Sequence, residues 1–441
     1  MKYSNQALSQ LIEPTRVHRK VYLDPDIFDL EMARIWGSAW IYIGHESQVK
    51  TPGEYATAII GNKVPVIMVR DKDGKVHVLH NRCGHKGAKL VDQASGKVSA
   101  FRCCYHGWTY RIDGKLVGVP NMPGYEGTGF NKNDPQYSMQ KVAQYGSYRG
   151  FVFATLDPNA PDLNTWMGTG MAECIDNMCD RSPEGEVEVV GKPMRYEHDC
   201  NWKMFTENLN DGMHPMVVHQ GVVDAALQYM KTVPEDSAER TEAEIIPPFG
   251  ASYEHFESTD LFAYPYGHHY DGGRTSIHAA YSVPKDYEEL MIAAYGEERT
   301  REILTFNSHN TMYYPSLTTK TAVQNIRVVR PISVNKTIIE SWSFRLKGAP
   351  ESMLKRTILY SRLINSSFGM VGPDDLTAYH RVQNGLESNG SEWVEMHRHF
   401  GRDEDKGDHF HGLLTGDLDI RTQYKAWKEY MTKDQLSQEV A

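Results

Sequence analysis

Two groups of residues in this 441-residue chain carry more metal-binding chemistry than a core requires. The first is a pair of short runs, Cys83-Gly84-His85 and Cys103-Cys104-Tyr105-His106, separated by seventeen residues. Each mixes a thiolate with an imidazole, and each follows a strand-like run, where a tight loop can aim both side chains at one metal pair. The second is Asn201 to His219, NWKMFTENLNDGMHPMVVH, which gathers His214, His219, Glu207, Asn208, Asp211 and Trp202 into nineteen residues. Two histidines with one carboxylate leave coordination positions open, which suits Fe(II) that must bind O2 beside an organic substrate. The block reads as half of a mononuclear metal site whose third ligand comes from elsewhere. Taken alone, a His-x4-His pair is more often two satisfied histidines on a helix; the Cys/His runs upstream reverse those odds.

Two thiolates and two imidazoles on two loops form the ligand set of a Rieske [2Fe-2S] cluster, in which histidines replace two cysteines on one iron and raise its potential. A Cys2His2 zinc site uses similar donors, but zinc fingers keep the cysteine pair and the histidine pair apart. The spacing gives the ligand role to Cys83, His85, Cys103 and His106 and leaves Cys104 a bystander. Gly87 and Gly107 are expected to let backbone N–H groups approach the sulfurs, and Trp108 to shield the cluster from water. The histidine block poses a geometric problem. Five helical steps turn through about 500°, leaving His214 and His219 about 140° apart on a regular helix. The backbone must therefore distort, and Pro215, which lacks an N–H, is the expected cause. Asp211 lies one helical turn before His214, where a carboxylate can orient the imidazole and raise its basicity. Further on, Gly372 and Pro373 break the chain ahead of an amphipathic segment, a place for a first-turn carboxylate. An Asp374-Asp375 pair in isolation would read as a helix cap.

The elements that must position these groups follow from periodicity. Asp24 can cap a helix that begins with Pro25 and carries Ile27, Phe28, Met32, Ile35 and Trp36 up to Gly37; it is read as the chain's opening element. AWIYIGH from Ala39 reads as a first strand. EYATAII, VPVIMVR and KVHVLH, with DKDG between the last two, then continue an antiparallel β region to about Leu156. RTQYKAWKEYMTK reads as an amphipathic helix packed on the body. The chain is 40% apolar and carries a net charge of −10 without a long single-sign block. That balance gives no nucleic-acid footprint and no membrane-surface patch. No apolar run is long enough to span a bilayer and no secretory signal is visible, so the chain is expected in the cytoplasm. Six cysteines are too few for a disulfide scaffold, and Cys174, Cys179 and Cys200 are taken as reduced thiols.

These motifs resemble the large (α) subunit of Rieske non-haem iron aromatic-ring-hydroxylating dioxygenases. The likeness runs through FDLEMARIWGSAWIYIGHES, CGHKGA, CCYHGW, GSYRGFVFATLD, the Asn201–His219 block, YYPSL, IRVVRPISVNKT and GPDDLTAYHRVQNG. The ENxxDGxH and PDDLxxxxxxQxG spellings are similar to those of the benzoate, toluate and anthranilate dioxygenase group. The resemblance implies an α+β fold, with an antiparallel β Rieske domain (39–157) inserted next to a helix-grip-like α+β catalytic domain (158–441) that has an antiparallel sheet. An N-terminal helical segment (1–38) packs on the catalytic domain.

The same resemblance implies that Cys83, His85, Cys103 and His106 hold the cluster, and that His214, His219 and Asp375 bind the catalytic iron, with Asp374 the alternative third ligand. It implies that Asp211 bridges to a Rieske histidine of the neighbouring subunit in a trimeric ring, and that Asn208 is a polar group near the iron. Met213 stands where the family usually has tyrosine, which leaves pocket shape open. The reaction implied is dihydroxylation of an aromatic ring by O2 to a cis-dihydrodiol, in aromatic hydrocarbon catabolism, with an aromatic carboxylate as substrate. Electrons would come from NADH through a separate reductase, with or without a ferredoxin, and a small β subunit would complete an α3β3 assembly. Residues 220–320, including FAYPYGHHYDGG, are expected to line the pocket and its lid. A Rieske monooxygenase or N- or O-demethylase would use the same metals. A ferredoxin-type electron carrier would need no second iron site, and a zinc-stabilised binding module would be colourless.

Overall fold

In the computed structural model, which describes residues 3–235 and 237–433, EYATAII and VPVIMVR form the antiparallel strands Glu54–Ile60 and Val64–Arg70, with Tyr55 opposite Val69. Their β-branched residues suit a pleated, half-buried surface. Val76–His80 and Ser95–Lys97 extend them to a four-stranded sheet. Two three-stranded sheets complete this unit, Trp36–Leu163. One holds Phe101–Arg102, Thr109–Tyr110 and Leu116–Gly118, the other Ile41–His45, Gln144–Tyr148 and Phe151–Thr155. Its core includes Tyr55, Ile67, Leu79, Phe101 and Trp108, together with Cys83 and Cys103. The Cys/His runs are the loops that leave the ends of Val76–His80 and Phe101–Arg102.

The other described residues form a second unit around a nine-stranded sheet. Its long strands, Val187–His198, Lys336–Leu346 and Asn325–Ser333, pair side by side at one end. Leu317–Lys320, Asn307–Tyr313, His269–Gly273 and Asp260–Ala263 follow, then Phe410–Leu413 and Glu404–Asp405. Every pairing is antiparallel, so the architecture is mixed α+β with antiparallel sheets. A buried knot fixes the helices that carry the chemistry. Fully buried Glu31 accepts from Lys203 Nζ at 2.7 Å, Trp202 Nε1 at 2.9 Å and Trp427 Nε1 at 2.6 Å. That joins the helices Pro25–Arg34, Trp202–Asn208 and Leu418–Thr432 at one charge, which is tolerated in the core because it is both paired and hydrogen-bonded.

Asp24 caps Pro25–Arg34 by accepting from the Asp26 N–H at 2.9 Å, but this helix is not the opening element. A helix, Asn5–Ser9, and the hairpin of Ile12–Glu13 with Arg16–His18 precede it. These pieces are too short to show a period; Arg16–His18 is held by pairing with Trp393–Glu395, a partner no local pattern reveals. Among the described residues, no helix is long and apolar enough to cross a membrane. None of the six cysteines is in a disulfide, and Cys104 alone of them is exposed.

Candidate metal centres

Asn201–His219 is not one helix. Asn201 caps Trp202–Asn208 by accepting from the Lys203 N–H, the chain unwinds through 209–213, and two further helices follow, Pro215–Val218 and Gln220–Met230. Pro215 takes the first helical position, where its missing N–H costs nothing, so it does not kink the chain as the sequence suggested. The break falls at His219 (φ −99°, ψ 3°), the joint between the two helices. The two imidazoles lie 5.5 Å apart, centroid to centroid. Asp375 Oδ1 stands 3.6 Å from His214 Nε2 and 3.4 Å from His219 Nε2. Among the described residues, no other group of three or more His, Cys, Asp or Glu brings its ligand atoms within 4.8 Å of one another.

The adjacent aspartates divide the work. Asp375 and Asp374 both lie in the first turn of Gly372–Leu386, but Asp374 Oδ2 faces the other nitrogen of His219, accepting from Nδ1 at 3.3 Å. Asp211 sits in a turn rather than one helical turn before His214. Its Oδ2 is 3.8 Å from His214 Nδ1, while its Oδ1 accepts from the Met213 N–H at 2.9 Å and from Arg398 at 3.1 Å. Burial lowers the pKa of His214, against the pull of Asp375 and Asp211. Burial also works against a charged His219, but Asp375 and Asp374 outweigh it and the pKa rises. For Asp375 burial opposes ionisation, yet His219, His214 and Arg327 hold the carboxyl below its usual range.

Asn208 connects two helices. Its Nδ2 donates to Asp375 Oδ1 at 3.4 Å and its Oδ1 accepts from the Tyr379 hydroxyl at 2.7 Å. Gln383 Oε1, four residues further on, accepts from the Asn201 N–H at 2.8 Å. Asp375, Tyr379 and Gln383 recur at i, i+4 and i+8, so one helix face is tied to Trp202–Asn208 along its length. Glu207 and Trp202, which looked ligand-capable, serve the core instead. Glu207 hydrogen-bonds the Tyr424 hydroxyl, and burial pushes its carboxyl up to about 7.

The two Cys/His loops share one construction. The Gly87 N–H donates to the Cys83 carbonyl at 3.0 Å and the Gly107 N–H to the Cys103 carbonyl at 3.1 Å, so these amides close the turns rather than approach the sulfurs. Both glycines are left-handed, at φ 77° and 71°, which a side chain would resist. The His85 ring stacks on Trp108 at 4.7 Å and lies 4.7 Å from the His106 ring. Tyr110 donates its hydroxyl proton to Cys83 Sγ at 3.0 Å and accepts from the Gly84 N–H at 2.9 Å.

The His214, His219 and Asp375 trio opens on a cleft of about 570 Å³ including its mouth, whose walls include Phe249, Ile277, His309, Lys320, Arg327 and Leu414. Segment 220–320 supplies only part of that lining. FAYPYGHHYDGG proves to be strand and turn in the main sheet rather than a lid, and burial takes His268 and His269 down to about 3.

Residues 39–144 match the Rieske [2Fe-2S] domain, and residues 186–415 match the ring hydroxylating alpha subunit catalytic domain. The chain belongs to the Rieske ring-hydroxylating dioxygenase α-subunit family. It is 30% identical over 433 residues to toluate 1,2-dioxygenase subunit alpha of Pseudomonas putida, covering 95% of this chain and 91% of that one. It is 32% identical over 390 residues to the anthranilate 1,2-dioxygenase large subunit of Acinetobacter baylyi, covering 87% and 80%. The naphthalene 1,2-dioxygenase structure from Rhodococcus sp. shares the fold, with a TM-score of 0.77 at 23% identity over 95% of each chain.

The residues of this α subunit fit the two metal groups that its domains indicate. Donors about 2.1 Å from one ion and at right angles to it stand about 3 Å apart, close to the 3.4 and 3.6 Å seen between Asp375 Oδ1 and the two Nε2 atoms. Two imidazoles and one carboxylate on one face form an iron-type donor set. In the Rieske domain, Cys83 and Cys103 are buried, and His85 Nδ1 is buried without a hydrogen-bond partner, as a ligand atom would be. Sequence reasoning missed Tyr110 and Tyr379. Tyr379 was legible in principle, four residues after Asp375; Tyr110 was not, because its contact with Cys83 depends on how two strands pack.

Proposed function

We propose that this α subunit is a terminal oxygenase that adds both atoms of O2 to the ring of an aromatic carboxylate, giving a cis-dihydrodiol. The observation that carries this reading is the convergence of His214, His219 and Asp375 at an aromatic-walled cleft. Fe(II) held by those three would supply O2 activation, with electrons delivered singly from a cluster on Cys83, His85, Cys103 and His106. The chain's own residues do the rest. Asp374 accepts a hydrogen bond from the Nδ1–H of His219, which fixes the tautomer that leaves the Nε2 lone pair free for the ion and raises its basicity. Asn208 steadies Asp375, and Phe249, Ile277 and Leu414 exclude water and lay an aromatic ring beside the trio.

Asp211, fixed by Arg398 and set beside His214, is our candidate for the link to a Rieske histidine of a neighbouring subunit in a ring of three. A small β subunit, a reductase that draws on NADH and a cytoplasmic setting complete the proposal. Relatives named for toluate and anthranilate support the carboxylate. The test is turnover of a benzoate-like panel under 18O2 with purified, reconstituted oxygenase. A diol carrying two labelled atoms is expected; a product with one labelled atom makes the protein a monooxygenase or demethylase. Purified protein without acid-labile sulfide or without iron would end the reading altogether.

A further inference from the structure

Two cations line the cleft, Lys320 and Arg327, and among the described residues neither forms an ion pair. Lys320 ends the strand Leu317–Lys320, is 3% exposed, and among the described residues forms no ion pair. Its Nζ donates to the Tyr360 hydroxyl at 3.0 Å and to His309 Nε2 at 3.3 Å, both neutral groups. Each of those partners is committed onward. Tyr360 bonds His278 Nε2 at 3.2 Å, and His309 turns its Nδ1 to Asp271 at 3.3 Å. Asp271 also accepts from the Asn310 N–H at 2.8 Å, and burial pushes its carboxyl up to about 7; Asp271 and Asp375 both act electrostatically on Lys320, but neither pairs with it directly. An ammonium has three N–H donors, and two are used inside the protein. Both Lys320 and His309 line the cleft that holds the His214, His219 and Asp375 trio.

A buried charge without a partner is costly, and a guest of opposite charge recovers that cost. Burial, with the Arg327 guanidinium adding to it, pushes Lys320 well below its ordinary range. The apolar wall beside it has the right place for a ring. Phe249 lies 6.0 Å from Lys320 Nζ, measured to the ring centroid, and 6.1 Å from the His219 ring. One aromatic face thus neighbours both the cation and a proposed iron ligand. Arg327 is held by Asn310 Oδ1 at 2.8 Å and stacks over Phe205 at 5.0 Å, while its Nε is buried without a partner; Lys320 differs in lying beside Phe249, next to a proposed iron ligand.

We infer that Lys320 is the anchor for the carboxylate of an aromatic substrate, whose ring lies against Phe249 and presents its carbons to His214, His219 and Asp375. The inference rests on the proposed iron site for which carbons react; capture of the carboxylate itself does not need that site to turn over.

The test is equilibrium dialysis of the cluster- and iron-loaded oxygenase with benzoate and with benzamide, which has the same shape without the charge. Benzoate is expected to bind about 10- to 100-fold more tightly, the range for a hydrogen bond to a charged group. Lys320→Met should bring the ratio to about one, and Lys320→Arg should restore part of it. If Lys320→Met loses its fold, Lys320→Gln, which retains a polar contact to Tyr360, reads the same ratio. A wild-type protein without the preference, or a Met or Gln variant that keeps it, overturns the inference. Preferential benzoate binding through Lys320 with no oxygenated product would overturn the proposed function and leave this inference standing. Oxygenation of aromatic rings with no preference for benzoate would do the reverse.

Discussion

Tyr379 donates its hydroxyl proton to Asn208 Oδ1 at 2.7 Å, and the same asparagine donates to Asp375 Oδ1 at 3.4 Å. The carboxylate is therefore positioned by a clip from its own helix that passes through a residue of the histidine block. Tyr379→Phe should leave the Asn208 acceptor unmet at a cost of about 1–3 kcal/mol, lowering the melting midpoint. Iron should also wash out faster on dialysis while the cluster's visible absorbance stays. An unchanged melting curve together with unchanged iron retention would show that the clip does nothing.

Asp374 and Asp375 are neighbours in sequence with different partners, one on His219 Nδ1 and the other on the two Nε2 atoms. Asp375→Ala should abolish iron retention. Asp374→Ala should weaken it by about 10- to 100-fold, as for a carboxylate that orients a ligand. Iron per chain against a graded chelator measures both, and the opposite ranking would make Asp374 the ligand.

The Tyr110 hydroxyl on Cys83 Sγ stabilises negative charge on that sulfur. Hydrogen bonds to cluster sulfurs help to set the potential, so Tyr110→Phe should lower the reduction potential of the loaded cluster. A redox titration followed by visible absorbance would show a shift to more negative values; a potential equal to that of the unaltered protein would refute the link.

Glu207 makes stability depend on pH. Burial raises its carboxyl pKa to about 7 in the fold, above the ordinary value of 4.5. The folded state then binds the proton more tightly than the unfolded chain does. The stabilisation is complete below pH 4.5 and is lost as pH rises through about 7. Glu207→Gln keeps a neutral partner for Tyr424 and should flatten the decline in melting midpoint between pH 5 and 8. A variant whose profile parallels the wild type would place the titration elsewhere.

The Cys/His pairs were legible because a loop of three or four residues sets its own geometry: the distance between Cys83 and His85 hardly depends on the rest of the fold. The strands Glu54–Ile60 and Val64–Arg70 were legible for a similar reason, since alternation and turn residues act within the segment. The histidine block was only partly so. Its residue types announced a metal, while a regular-helix reading put the two rings on different faces, and the backbone's break at His219 cannot be seen from spacing.

What the sequence determined by itself is the inventory of donors and the short-range geometry of each loop. What tertiary structure decided is which distant donors meet. Asp375 rather than Asp374 faces both Nε2 atoms because of how Gly372–Leu386 is rotated against Trp202–Asn208, and that rotation is set by Tyr379, Gln383 and Asn201 across the helix pair. Lys320 lies in a run of ordinary strand residues, and nothing local marks it as a buried amine without an ion pair. Its burial, its two neutral partners and its place in the cleft arise only when the sheet closes over it, because burial and pairing are properties of the packed surroundings rather than of the segment.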